Sequence, residues 1–431
     1  MRAGEPTTSA APRGLVLVAA GSPTASLRAA AARAAGVSAA AVARRLRLGA
    51  GTTIGGRVAL AIDPTVLRRA AATRGVTVIS GTNGKTTTRV LLVRALSTRS
   101  PVVSNVGGAN LPSGWTTTLV RDRHTPACVL EVDEGHLPAA IEQTAPRLAV
   151  LLNLTRDQLD RYAEVHRLAS AWRAALASVA TISVVANVDD PLVAWAAMVA
   201  RDVRWVSLGT SWVRDATTCP ACGAVIRVET RSWSCACGLR RPTPEWDLRG
   251  DVLHAPDGSQ HLLWLRLPGH VNQANAAAAV AAAAVHGVPV AEAVRAVEGV
   301  ATVEGRYEER SYRGRPVRLL LAKNPAGWQE ALGMLPPPPA PVVLAINARI
   351  ADGRDPAWLW DVPFERLGER VVVATGERAR DLAVRLRYAD VPHQRIDDPG
   401  AALLAAPGEG RVQVLGNYTA FAGLRRIVHD A

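Results

Sequence analysis

Short apolar runs alternate with Ala- and Arg-rich stretches along this chain. Residues 76–80 (VTVIS), 128–132, 148–152 and 181–186 (TISVVA) have the length and β-branched content of buried strands. Residues 25–50, 89–96 and 272–285 read as helices. Strands alternating with helical segments predict a parallel sheet in an α/β arrangement. Residues 212–250 break the rhythm and hold four of the five cysteines. Beyond a Pro-rich stretch at 336–341, the strand-like runs 342–346, 371–375 and 412–415 predict a second α/β unit. The expected organisation is a tail and helix over 1–50 (loose to about residue 25), a central domain over 51–308 with an inserted module at 212–250, and a C-terminal α/β domain over 309–431.

Residues 81–88 (GTNGKTTT) fall between a predicted strand and a predicted helix, the setting of a phosphate-binding loop. Gly81 and Gly84 let backbone N–H groups turn inward, with Thr82 and Asn83 between them. The helix start adds its positive end. Lys85 can reach terminal phosphates, and Thr86, followed by Thr87, offers a hydroxyl to Mg²⁺. The common version of this motif has Gly six residues before the Lys; here Ile79 stands there.

Cys219-Pro-Ala-Cys222 is followed by Cys235-Ala-Cys237, and each pair is trailed by Gly. Two short thiol pairs supply the four corners of a tetrahedral Zn²⁺ site, so the insert reads as a zinc ribbon. The second pair is C-x-C, tighter than the usual C-x-x-C. Trp212, Trp233 and Trp246 can stack on nucleic-acid bases or form a small core around the metal. The fifth cysteine, Cys128, lies inside a predicted strand and reads as a small buried apolar residue.

Composition sharpens two points. A net charge of +13 over 431 residues suits an acidic or phosphorylated partner, though no run of five cations occurs. Lys85 and Lys323 are the only lysines among 50 Lys and Arg, which marks both as positions that need a compact ammonium. No apolar run spans a bilayer, and the apolar segment at 14–20 is short for a signal peptide, so a cytoplasmic protein is expected.

The loop GTNGKTTT resembles that of Mur ligases and folylpolyglutamate synthases. Residues 131–134 (EVDE) follow a strand, as the Mg²⁺-binding Glu of that family does, which implies Glu131 as a ligand. Residues 267–276 (LPGHVNQANA) are similar to a segment whose Asn residues hold adenine, implying Asn272 and Asn275. Residues 153–162 (NLTRDQLDRY), 323–327 (KNPAG), 351–355 (ADGRD) and 358–361 (WLWD) resemble the MurT family, with Thr155 where an aromatic residue is usual. The fold implied is α/β: a Mur-ligase-type P-loop central domain with an inserted four-Cys zinc ribbon, plus a C-terminal Rossmann-like α/β domain.

That resemblance implies an ATP-dependent ligase amidating the α-carboxyl of D-glutamate in the lipid II stem peptide. ATP and Mg²⁺ make an acyl phosphate and ammonia displaces the phosphate, with Lys85, Glu131 and Arg306 stabilising charge. Asp157 and Asp160 are candidates for the substrate or metal site, and Lys323 for a phosphate or carboxylate contact. No cysteine here suits a glutaminase, so ammonia would come from a GatD-like glutamine amidotransferase partner. Asp352 or Asp355 would complete that partner's Cys–His pair. Lipid II would be met at the inner membrane surface, and no nucleic acid is expected. Two alternatives stay open: a Mur or folylpolyglutamate-type amino-acid ligase, and a zinc-ribbon ATPase acting on nucleic acid.

Overall fold

The computed structural model describes residues 23–46, 51–122, 124–156, 162–209, 216–303 and 305–429. The predicted tail before residue 23, Asp157, Asp160 and Trp212 lie outside them. Among the described residues, no helix is long and apolar enough to cross a membrane.

The chain begins with helices α1 (Pro23–Arg45), α2 (Ile54–Ile62) and α3 (Val66–Ala71). The strands that follow are β1 (Gly75–Ser80), β2 (Val102–Ser104), β3 (Ala127–Glu131), β4 (Leu148–Leu151), β5 (Ser183–Asn187) and β6 (Asp202–Ser207). Helices α4 (Lys85–Leu96), α5 (Pro112–Arg121), α6 (Leu137–Thr144), α7 (Tyr162–Ala177) and α8 (Pro191–Ala197) connect them. A hairpin of β7 (Arg227–Glu229) and β8 (Ser232–Ser234) stands apart. Then β9 (Trp246–Arg249), β10 (Val252–His254) and β11 (Gln260–Leu262) return to the first sheet, whose order is β11-β10-β9-β6-β5-β4-β1-β3-β2. Strand β1 pairs in parallel with both β3 and β4, so the loops leaving Ser80, Glu131 and Leu151 emerge side by side. Ligands of α/β sheets gather at such carboxyl ends.

Helices α9 (His270–Val285) and α10 (Val290–Glu298) lead to the second sheet. Its strands are β12 (Tyr307–Tyr312), β13 (Arg315–Leu321), β14 (Val342–Ala345), β15 (Val372–Thr375), β16 (His393–Arg395) and β17 (Val412–Gly416), in the order β12-β13-β17-β14-β15-β16. Helices α11 (Pro325–Gly333), α12 (Ala379–Tyr388), α13 (Pro399–Ala405) and α14 (Tyr418–His429) cover it.

Small side chains set the packing. The run of Ala and Val from Ala276 to Ala283 on α9 is buried throughout, and this face lies against α4. The small side chains of α9 pack in one apolar cluster with Leu91 and Leu92 of α4. One apolar cluster runs without a break from Leu91 and Val150 of the first sheet's layer to Trp328, Val342 and Phe364 of the second.

The structure amends the sequence reading in three places. Helix α4 starts at Lys85 rather than at residue 89, so the loop is shorter than expected and Lys85 is the first helical residue. Trp246–Arg249 is strand β9 of the large sheet and pairs with β6, although it falls inside the 212–250 segment. Trp233 and Trp246 are buried, at 2% and 4% exposure, so neither presents a face to a base. Trp233 packs with Ile226, Cys219 and Cys235, and its indole N–H donates to Val188 O at 2.8 Å.

Candidate functional site

The loop after β1 is fixed by its neighbours. Gly81 and Gly84 have φ of 150° and 85°, and a Cβ on Gly84 would lie 2.3 Å from Asn275 Oδ1. Only glycine fits there, for both conformation and space. The loop after β4 supplies the clamp. Asn83 N donates to Asn153 Oδ1 at 2.8 Å, and Asn153 Nδ2 donates back to Asn83 O at 3.1 Å. Thr82 Oγ1 donates to Thr155 O and accepts from Thr155 N. These use the Thr155 backbone; its hydroxyl accepts separately from Asn83 Nδ2 at 3.3 Å.

Lys85 is 7% exposed. Its ammonium donates to Glu134 Oε2 at 2.8 Å, to Thr82 O at 3.1 Å and to Gly81 O. Glu131 is buried to 3% exposure, and its carboxylate faces the Arg89 guanidinium at 3.5 Å. Burial pulls Arg89 below its ordinary value, with Glu131 opposing that shift. The Glu131 backbone is bracketed by the Asn105 side chain, which accepts from its N–H and donates to its C=O. Two acids thus attend this end of the sheet: Glu131 beside Arg89, and Glu134 on Lys85.

One cleft gathers most of the candidates. Asn83, Gly84, Thr86, Thr87, Asn272, Asn275 and Arg306 all line it. Gly81, Thr82 and Lys85 are buried. Asn275 Oδ1 accepts from Thr88 Oγ1 at 3.3 Å, and Asn272 Nδ2 donates to Pro268 O at 2.6 Å, so both begin α9 facing the cleft. Arg306 reaches in from the start of β12 and donates to Thr86 Oγ1 at 3.3 Å. Asn324 caps α11 and donates to Asn83 Oδ1 at 3.3 Å. Both sheets therefore contribute to one cleft. Glu330 of α11 also lines it; burial raises its carboxyl above the ordinary value, against the pull of Arg366.

Glycine cradle, buried Lys and hydroxyl suit a nucleoside triphosphate. The oxygen donors of Thr86 and Glu131 are the kind a hard divalent cation takes. Lys323 is not in this wall: its ammonium lies 5.3 Å from the centre of the Tyr418 ring.

The two candidate aspartates differ sharply. Asp352 is 8% exposed and accepts from Thr419 N at 2.8 Å, from Thr419 Oγ1 and from Arg349 N at 3.3 Å. It ties its loop to the start of α14. Asp355 is exposed and accepts one bond, from Ala357 N at 2.8 Å.

The thiols of Cys219, Cys222, Cys235 and Cys237 all lie within 4.8 Å of one another. Gly223 and Gly238, both at positive φ, close the two knuckles with bonds to Cys219 O and Cys235 O. The C-x-C pair thus reaches the same cluster as the C-x-x-C pair, and an all-thiolate set of this size suits Zn²⁺. Cys128 is 1% exposed and its thiol is pushed up to about 12 by burial, which rules it out as a nucleophile.

Sequence reasoning did not assign Glu134, Asn153, Asn324 or Glu330. The acid cluster at 131–134 pointed to its earlier member, and the segments 153–162 and 323–327 were marked by resemblance without a role for Asn153 or Asn324.

The profile for the Mur ligase middle domain matches residues 79–283, and that for the MurT ligase C-terminal region matches residues 321–421. The chain is 29% identical to the lipid II isoglutaminyl synthase (glutamine-hydrolyzing) subunit MurT of Streptococcus pneumoniae, over 82% of this chain and 85% of that one. The Staphylococcus aureus (strain N315) subunit of the same name is 28% identical, over 79% and 84%. Among solved structures, the fold is similar to a pseudomurein peptide ligase type C from Methanothermus fervidus (TM-score 0.64, 18% identity, 85% of this chain and 81% of that chain). It is also similar to a MurF ligase from Thermotoga maritima in complex with ADP (TM-score 0.62, 17% identity, 86% and 84%). At these identities the two structures speak for the fold alone.

Proposed function

Because the chain belongs to the MurT family of Mur-type ligases, we propose that it amidates the α-carboxyl of D-glutamate in the lipid II stem peptide, giving D-isoglutamine. The observation that carries this reading is the cleft itself. Asn83, Gly84 and Thr86, which follow β1 of the first sheet, meet Arg306 from the second around one cavity, with Lys85 buried at the start of α4 and Asn324 bonded to Asn83.

The chemistry follows from what a carboxylate lacks. Its oxygen is a poor leaving group until it is phosphorylated. A carboxylate oxygen attacks the γ-phosphorus of ATP and ADP departs. The nitrogen of ammonia then attacks the acyl carbon, the C–O bond to phosphate breaks, and the nitrogen loses a proton. Phosphoryl transfer needs alignment and charge neutralisation. Lys85 and Arg306 supply positive charge, and the first-turn amides of α4 hold phosphate oxygens, since the Thr82 and Asn83 amides are already bonded to Asn153. Asn272 and Asn275 border the nucleotide. Mg²⁺ held by Thr86 and Glu131 adds charge neutralisation when bound. Zn²⁺ on the four cysteines holds the 216–245 segment together and lies outside the chemistry.

Ammonia is supplied by a GatD-like glutaminase. Of the two candidate aspartates, Asp355 is the one a partner's His can reach, since Asp352 is buried in its own loop. A triad carboxylate orients the His and stabilises its cation. Burial of Trp233 and Trp246 removes two of the three stacking surfaces on which the nucleic-acid reading rested.

Reconstitution tests the proposal. Purified chain, ATP, Mg²⁺, ammonium and lipid II should give the mass decrease of an acid becoming a carboxamide. Failure to amidate, with ATP turnover driven instead by an added amino acid or nucleic acid, overturns it. With the partner present and glutamine replacing ammonium, Asp355→Asn should lose glutamine-driven product and keep ammonium-driven product.

A further inference from the structure

A second depression lies at the opposite, amino-terminal end of the first sheet, beneath β1 and β3. Arg74, Thr77, Ser100, Cys128, Arg147 and His286 are among its lining residues, and no carboxylate is. Arg74 carries the main argument. Its side chain is only 4% exposed, and just one of its three nitrogens is used. Nη2 donates to Leu119 O at 3.3 Å and to Asp122 O, with the Asp122 carboxylate 3.6 Å away. Nε and Nη1 are buried with no hydrogen-bond partner among the described residues. A guanidinium held this way is expensive unless something completes its bonds.

One further cation, Arg147, and the imidazole of His286 also line the depression. Arg147 crosses Gly75 closely enough that a Cβ on that glycine would lie 3.7 Å from its Cδ and 3.9 Å from its Nε and Nη1. Its guanidinium has no hydrogen bond or ion pair among the described residues. His286, at the end of α9, shares a 2.8 Å hydrogen bond with Thr77 Oγ1 through Nε2. Burial, and then the positive charge of Arg147, hold its imidazole below the ordinary value. Two guanidinium groups border a depression whose lining has no carboxylate; Asp122, 3.6 Å from Arg74 Nη2, is not part of that lining.

The structure assigns this cluster as a binding site for a phosphate-sized oxyanion, separate from the nucleotide cleft. Such a ligand accepts from Arg74 and Arg147 in the planar geometry guanidinium groups favour, and a protonated His286 adds a third donor. A soluble ion and an anionic lipid headgroup both present this phosphate chemistry, and Arg74, Arg147 and His286 serve either.

Calorimetric titration of the full chain with inorganic phosphate, in excess ADP and Mg²⁺ to fill the cleft, should leave one binding site. Arg147→Glu should weaken it at least about tenfold, equivalent to about 1.4 kcal/mol. His286→Ala should remove the tightening expected as pH falls through the imidazole's range. Lys85→Ala should leave the site intact. Neither Arg147 nor His286 belongs to the ligase machinery, and a melting curve on each variant confirms that it is folded. Vesicles of phosphatidylglycerol separate the sources: co-sedimentation abolished by Arg147→Glu identifies a membrane phosphate, and phosphate binding without co-sedimentation identifies a soluble one. Phosphate displaced completely by ADP, or bound by both variants as by the unmodified chain, overturns the assignment.

Discussion

The phosphate loop and the cysteine knuckles are both glycine-punctuated turns, yet they are held by different means. The phosphate loop is braced by protein alone: Asn153, Thr155 and Asn275 lock its backbone, and β1 beneath it is buried. The knuckles rest on a small apolar cluster of Ala194, Ile226 and Trp233 and on four converging thiols. A loop that must meet a ligand at every turnover is preorganised without it. A module with four converging thiols can take a metal ion as its core.

The largest effect should come from the preorganised side. Lys85→Ala should lower amidation by about 10²–10³-fold. It also leaves Glu134 without its cation, which should cost up to about 3 kcal/mol of stability. Adding Glu134→Gln should restore the melting temperature and leave the activity lost. Recovery of activity in the double variant would mean that Lys85 serves the fold and not the phosphates.

Metal removal probes the other side. A thiol-reactive chelator should raise amide exchange at Cys219 and Cys235 by on the order of 100-fold. Exchange along β1 and nucleotide affinity should stay as they were. If nucleotide affinity falls in step, the two regions are not independent.

Weaker effects sharpen the same contrast. Asn153→Ala removes both bonds to the Asn83 backbone and should weaken ATP binding by up to about thirtyfold, since each of the two bonds contributes about 1 kcal/mol. The smallest effect concerns Glu330. Its raised carboxyl contributes stability that is complete below the ordinary carboxyl range and is lost as pH rises through the folded value. Glu330→Gln should therefore leave the melting temperature unchanged at acid pH and raise it at pH 8 by about 1–2 °C. A drop at pH 8 would show that Arg366 pairs with the carboxylate strongly enough to reverse the sign.

Legibility in the sequence tracked burial. Strands buried on both faces, such as β1, β3 and β4, are continuous apolar runs, and their positions agree with expectation to within a residue or two. Strands β6 (DVRWVS) and β12 (YEERSY) carry charges on an exposed face and left no such run. The same division holds in the cleft. Lys85, Thr86 and the glycines are contiguous, so spacing reveals them. Asn153, Asn324 and Glu134 reach the loop only because β4, α11 and the turn after β3 end beside it, and no local pattern encodes that meeting. Asp352 and Asp355 were equivalent as letters; burial separates them.

Asn324 divides the two ends of one amide between a lasting task and a temporary one. Its Oδ1 accepts from Gly327 N at 2.9 Å and so starts α11, while Nδ2 reaches across to Asn83. Swinging the second sheet outward to release ADP would part the second bond and leave the first whole. The molecule can unlatch there without fraying the helix that carries the latch.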